Sequence, residues 1–270
     1  MYGFLSKNPY KITYYLKMLD KILKKQLIDI QFDFTSDTPG YWDHFWEKNN
    51  GLGAGNNDPD IKSKTLQAYH QFLWSKLLPN GEKMDLSIGS GLNYLIWKNF
   101  RFGSDSITTS FRYVRYQNMI KKIQNSIFHF QTFMENYIRK SYTIGGTIIF
   151  PKRHGGINQS RGCNPSIKDR WDLTLECIRK YYLDEPSPLY TTLKEEKAFF
   201  DLFIDFQGYV DFFYLQDCVS PDYSSVIFWL GDGNFSLNPL PQSVEEYLDW
   251  IDCNLKFVKQ RNARILKAIQ

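Results

Sequence analysis

The sequence predicts a mixed fold, α+β or α/β, in which a central sheet flanked by helices forms one globular domain over residues 1–270. Three observations predict it. A chain of 270 residues with 43% hydrophobic and 17% aromatic residues can bury one large core, and that composition excludes a disordered chain. Apolar residues recur at helical spacing in several stretches. Between them lie short apolar or alternating runs bounded by Gly, Pro and Asn, which read as strands.

Taken in order, Asn8 to Leu27 places Ile12, Leu16, Leu19 and Leu23 on one side of a helix and lysines elsewhere, so residues 1–27 read as an N-terminal helical extension. Ile28 to Phe34 alternates as a strand does. Gly51 to Asp60 reads as a surface loop, because it lacks the GKS or GKT ending of a phosphate loop and Asp58 and Asp60 would repel phosphate. Lys62 to Leu77 predicts a helix and Met84 to Ile88 a short strand. GSDS, Gly103 to Ser106, resembles the opening of nucleotidyltransferase motifs but lacks the spaced carboxylate pair those enzymes need. Ser141 to Phe150 reads as a strand, with Gly145 and Gly146 marking a bulge or a close backbone approach. A loop, Pro151 to Cys163, follows. Asn164 as cap and Pro165 at the first position then open a helix with Ile167, Trp171, Leu175, Ile178 and Tyr182 on a buried stripe. Thr192 with Glu195 predicts a capped helix running to about Phe206; Gly208 to Val219 and Ser224 to Leu230 read as strands, with Gly231 to Asn234 as a turn. Ser243 with Glu246 predicts a second capping box opening a terminal helix.

Lys7, Lys11 and Lys17 interrupt the apolar core a signal peptide needs, and no apolar run approaches the roughly 20 residues of a membrane helix. The expectation is a cytoplasmic protein with no membrane partner. The four cysteines, Cys163, Cys177, Cys218 and Cys253, show no CxxC pair and no histidine at zinc-ligand spacing, which predicts reduced thiols. His44, His70 and His129 each lie among aromatics and read as histidines at the core's edge. The sequence names no cofactor and no metal.

Charge is distributed unevenly. The net +4 conceals a segment from Lys98 to Lys168 with twelve basic residues against two acids, followed by Asp169 to Asp252 with five basic residues against seventeen acids. The basic segment either meets an anionic partner, with Arg112, Arg115, Lys121 and Lys122 as the nucleic-acid-binding candidates, or packs against the acidic one.

The basic segment leads into a Gly-rich loop and a helix start, where unpaired N–H groups and guanidinium groups favour an anion. Arg153, Asn158, Gln159 and Arg161 are the anion-binding candidates. His154, the one residue there that exchanges protons near neutral pH, is the candidate for proton transfer. Asp169, Asp172, Glu176 and Arg179 share one helix face; Asp169 and Asp172 are the catalytic carboxylate candidates, orienting a metal or an arginine, and the alternative is a solvated face.

The strings YHQFLWSKLLPNG (Tyr69 to Gly81), INQSRG (Ile157 to Gly162), DRWDLTLECIRKYY (Asp169 to Tyr182) and GYVDFFYLQD (Gly208 to Asp217) together resemble an uncharacterised family of bacterial proteins with no assigned function, from about Phe32 onward. The resemblance implies a bacterial or phage setting and carries no activity with it. The leading expectation is a protein directed at nucleic acid or a nucleotide, an effector or toxin in bacterial antiviral defence, with its phosphate-binding loop at residues 153–162. Two alternatives stand beside it: a non-catalytic interaction or inhibitor protein with a protein partner or as a homo-oligomer, and a small-molecule enzyme with an anionic substrate.

Overall fold

Four antiparallel strands in the order β1 (Ser87–Ile88), β2 (Leu95–Trp97), β3 (Phe100–Ser106) and β4 (Thr147–Pro151) form a meander, and the helices pack around it. The structure is a computed structural model that describes residues 28–48, 53–89, 94–107, 114–235 and 238–270, with residues 114–117 described by their backbone alone. The α+β expectation is met. The predicted helix at Asn8 to Leu27 lies outside the described residues, as do Arg112 and the side chain of Arg115.

Along the chain, α1 (Tyr41–Asp43) runs into a π turn at His44–Lys48. Then α2 (Pro59–Lys62) and α3 (Lys64–Trp74) follow each other with one residue between them. Asp58 caps the first, accepting from the Asp60 N–H, and Ser63, in extended conformation, caps the second. Helices α4 (Val114–Ser126) and α5 (Phe130–Ser141) fill the connection from β3 to β4. After β4 come α6 (Ile157–Cys163), α7 (Trp171–Tyr182), α8 (Tyr190–Glu195), α9 (Lys197–Phe200), α10 (Phe206–Phe212) and the long α11 (Val244–Ile269). None of the described helices is long and apolar enough to cross a membrane.

Strand β4 is the centre of the core. All five of its residues are buried, and its register with β3, from Phe102 opposite Pro151 to Ser106 opposite Thr147, is the longest in the sheet. Helix α11 lies over the turn that leads into it. Its buried residues Tyr247, Trp250, Ile251, Asn254, Phe257, Val258, Arg261, Asn262 and Ile265 follow the 3–4 spacing of a helix face. The Gly145–Gly146 pair permits this approach: a Cβ on Gly145 would stand 2.5 Å from the Val258 carbonyl oxygen, and one on Gly146 1.7 Å from that of Ser141. The close backbone approach expected of these glycines is what the structure contains. The Ser243 cap also forms, accepting from the Glu246 N–H at 3.1 Å, while the Glu246 carboxylate accepts from the Gln242 N–H at 2.8 Å.

Several local expectations are corrected. Ile28 to Phe34 forms turns rather than a strand, because Asp29 and Asp33 accept from the N–H groups two residues on and compete with strand pairing. Met84 to Ile88 shortens to β1, and Ser141 to Gly146 is occupied by the end of α5 and a 3₁₀ turn, so the expected strand starts only at Thr147. Part of the expected loop after β4 is helix α6. Asn164 ends α6 instead of opening α7: its side-chain oxygen accepts from the Ser166 N–H, and Lys168 and Asp169 take left-handed conformations before α7 begins at Trp171. The aromatic helix expected from Thr192 to Phe206 is broken at Glu196 and again at Ile204, whose φ is +71°. Gly208 to Val219 is not a strand either; Asp205 accepts from the Gly208 N–H and starts α10, and a short apolar run does not by itself distinguish the two periods. Ser224 to Leu230 contributes one isolated bridge, Val219 to Val226.

The apolar stripe of α7 is buried as its spacing predicts, apart from the half-buried Tyr182, but the opposite face is not solvated: every residue from Trp171 to Ile178 is buried. Trp171 packs against Phe150 of β4 with ring centroids 6.4 Å apart. Replacing Trp171 with Ala is expected to destabilise the protein by about 3–5 kcal/mol, read as a shifted urea midpoint with an unchanged slope.

Candidate active site

A cleft of about 610 Å³ opens where the ends of β3 and β4 meet the loop before α2, the start of α6 and the end of α5. Tyr41, Phe45, Ile61 and Tyr137 form its apolar side. Asp58, Asp60, Asp105 and Asp169 bring four carboxyl groups to the other.

Asp58 and Asp60 come together because α2 begins there. The Asp58 carboxylate caps the helix at 3.0 Å from the Asp60 N–H and accepts from the Tyr142 hydroxyl at 3.1 Å. The two carboxyls are also within hydrogen-bonding reach of each other. Burial pushes the Asp60 carboxyl well above the usual carboxylate range; the charges of Asp58 and Asp105 and the bond to Asp58 push the same way, against the Ser104 hydroxyl. Asp60 therefore keeps its proton beside an acceptor.

A buried chain of donors fixes which oxygen carries that proton. The Trp74 indole N–H, which can only donate, lies 2.9 Å from His70 Nδ1, so that nitrogen is bare and the ring proton sits on Nε2. His70 Nε2 donates to Ser104 Oγ at 3.0 Å, and Ser104 donates to Asp60 Oδ1. Burial, aided by the Arg261 charge, lowers the His70 pKa to about 3, so the ring stays neutral. His70 donates to Ser104 rather than accepting from it, so it does not activate that hydroxyl as a nucleophile. The chain orients Asp60, with Oδ1 as acceptor and the proton on Oδ2.

The second carboxyl pair is held by Arg161, which is fully buried. Its Nη1 donates to Asp105 Oδ2 at 2.7 Å and to the Ser106 carbonyl at 2.9 Å, and lies 3.2 Å from Asp169 Oδ1. Nη2 donates to the Asp169 carbonyl and Nε to Thr174 Oγ1. Burial raises the Asp105 pKa to about 6; the Arg161 charge opposes this and the Asp169 charge reinforces it.

The expected site residues divide. Arg153, Asn158, Gln159 and Asp169 line the cleft. Arg153 is clamped by Glu195 and Glu196, and Arg161 is an internal bridge with no face to a ligand, which corrects its expected role as an anion contact. His154 is exposed and is not among the lining residues. Asp172 is fully buried away from the cleft, pairing with Arg170 and accepting from the Trp229 N–H at 2.9 Å. Lys121 and Lys122 are exposed on α4. Of the basic segment, Lys98, Arg139, Arg153 and Arg161 pair with carboxylates of this chain, Arg161 inside the fold and the others at the surface. Among the described residues, no cluster of three or more His, Cys, Asp or Glu is arranged to hold a metal. Cys177 and Cys218 are buried, Cys163 and Cys253 exposed, and all four are free thiols.

Sequence reasoning missed Asp58, Asp60, Ser104 and Asp105. The Asp-Pro helix start at Asp58 was the available signal for the first two. GSDS holds the other two, and its missing carboxylate partners come from 45 residues earlier in the chain.

Fold and cleft define an α+β protein with a carboxyl-lined site between sheet and helices. The chain belongs to the family described as a family of unknown function (DUF6994), which it matches over residues 28–265. No curated protein and no solved structure matches it.

Because the fully buried Arg161 bridges Asp105 and Asp169, Arg161→Ala removes the cation that holds the two carboxylates together. The expected loss is about 3–5 kcal/mol of stability, read by thermal or urea melts. A variant as stable as wild type would mean the bridge is not structural.

Proposed function

We propose that the protein is a small-molecule enzyme that works by carboxyl acid–base catalysis in this cleft, on a neutral or cationic substrate bearing hydroxyl groups. One observation carries the proposal: burial and the charges of Asp58 and Asp105 push the Asp60 carboxyl well above the usual carboxylate range, within hydrogen-bonding reach of Asp58. Bond cleavage at a glycosidic centre uses such a group, since one carboxylic acid protonates the leaving oxygen or nitrogen while an ionised carboxylate supports the carbon centre or activates water. Asp60 is the proton donor, with Asp58 as the acceptor that keeps the proton in line. Asp105, ionised for the most part above pH 6 and steered by Arg161, is the base. The aromatic side, Tyr41, Phe45 and Tyr137, suits the apolar face of a sugar or nucleoside. An anionic substrate fits poorly against four aspartates.

The phosphate-contacting loop at residues 153–162, and with it an effector or toxin directed at nucleic acid, has less support. Arg153 and Arg161 are occupied by carboxylates, and the exposed pair Lys121 and Lys122 on α4 is what remains of the basic candidates that are described.

A panel of chromogenic glycosides and nucleosides tests the proposal. Wild type is expected to cleave at least one, with an acid limb near pH 6 as Asp105 protonates, and Asp60→Asn to lose about 10²–10⁴-fold in kcat. An Asp60→Asn enzyme of full activity, or a panel without turnover, would contradict it.

Stability should move the other way. The folded protein keeps the Asp60 proton that the unfolded chain releases near pH 4, so wild type loses stability as pH rises from there through the folded-state pKa. Asn mimics the protonated acid and cannot ionise. Asp60→Asn is therefore expected to melt at or above the wild-type temperature, by a margin that widens from pH 4 toward neutrality.

A further inference from the structure

Among the described residues three arginines are almost entirely buried, and two of them have a carboxylate partner: Arg161 has Asp105 and Asp169, and Arg170 has Asp172. Arg261 of α11 is the exception. Its Nε donates to the Phe213 carbonyl at 3.0 Å, and its Nη1 to those of Gly145 and Thr147 at 3.0 and 2.6 Å. These acceptors are neutral, and Nη2 has no acceptor among the described residues.

Among the described residues its surroundings supply no negative charge. The titratable groups that feel the Arg261 charge are His70, Lys76, Tyr209, Tyr214 and Cys218, each neutral or positive in its ordinary state. Lys76 brings a second cation. Its Nζ stands 3.9 Å from the Tyr214 ring centroid and 4.4 Å from that of Phe212, and it donates to the Phe212 carbonyl. The acids nearest to Cys218 are Asp172 and Asp217, and these already pair with Arg170 and Arg264. Burial lowers the Arg261 pKa to about 10 and that of Lys76 to about 7, the cost of cations kept from water without a counter-charge.

A second buried donor ends in the same part of the core. The Tyr209 hydroxyl makes no hydrogen bond among the described residues and lies within the field of Arg261. The Trp171 indole N–H is directed at the Cys218 thiol, which also feels the Arg261 charge. Donors without acceptors around a buried positive charge need a ligand that only accepts.

We propose that the core binds a small monovalent anion, a halide, at Arg261 Nη2, with the Tyr209 hydroxyl as a further donor. A halide carries one charge, no protons and no preferred direction, so it completes this set where a water would leave the charge unbalanced. The site is separate from the carboxyl cleft and structural: it stabilises the packing of α11 and α10 on the turn before β4.

The test uses the full chain in gluconate buffer, into which chloride or bromide is titrated at constant ionic strength. A saturable rise in melting temperature of roughly 2–4 °C is expected, as for a ligand that binds only the folded state. Crystals grown in bromide should show an anomalous peak within hydrogen-bonding distance of Arg261 Nη2. Arg261→Met should lose the halide-dependent rise; if that variant does not fold, the wild-type peak still decides. A melting temperature indifferent to halide, or bromide density absent from Arg261, would overturn the proposal.

Discussion

A single guanidinium organises the cleft. Arg161 projects from α6 into a space without water and ties the end of β3, through Asp105 and Ser106, to Asp169 before α7 and to Thr174 within it. The left-handed turn at Lys168 and Asp169 is held by the same residue, since the Asp169 N–H donates to the Arg161 carbonyl. Without that bridge nothing described here would hold two carboxylates close together against a buried strand, because their repulsion and desolvation both oppose it.

That constraint has a chemical consequence. Once Asp105 is fixed beside Asp169, and Asp58 caps α2 next to Asp60, four carboxyls share one small cleft, and they cannot all be ionised at little cost. The proton remains on Asp60, whose burial and neighbouring charges of Asp58 and Asp105 oppose ionisation and beside which Asp58 can accept, while the Trp74–His70–Ser104 chain fixes its orientation. Such crowding lowers stability and prepares chemistry, and it is the usual signature of a working site. The unbalanced charge at Arg261 has the opposite sign and lies in the core, so it calls for a different explanation.

Much of the fold was legible wherever the signal was local. The stripe from Trp171 to Ile178, the Ser243 cap and the close approach at Gly145 and Gly146 follow from spacing, side-chain donors and the absence of a Cβ. The site was less legible because its partners are distant in sequence. Asp60 meets Ser104 across 44 residues and Arg161 meets Asp105 across 56, so a loop aspartate and a basic loop each looked solvated when read alone. The same distance misled the charge argument. Arg139 pairs with Asp33 across 106 residues, so part of the basic segment is neutralised by distant carboxylates of this same chain. Gly208 to Leu215 failed for a different reason, since its buried Tyr209, Val210, Phe212 and Phe213 sit on a helix too short to reveal its period.

The central claim is that one aspartate in the cleft is a carboxylic acid at neutral pH while its neighbour Asp105 is not. Titration of the aspartate carboxyl carbons by NMR, assigned through Asp60→Asn and Asp105→Asn, reads this directly. The account predicts that the Asp60 resonance keeps its protonated shift through neutrality while that of Asp105 turns over near pH 6. An Asp60 carboxyl that titrates near pH 4, like an exposed aspartate, would contradict it.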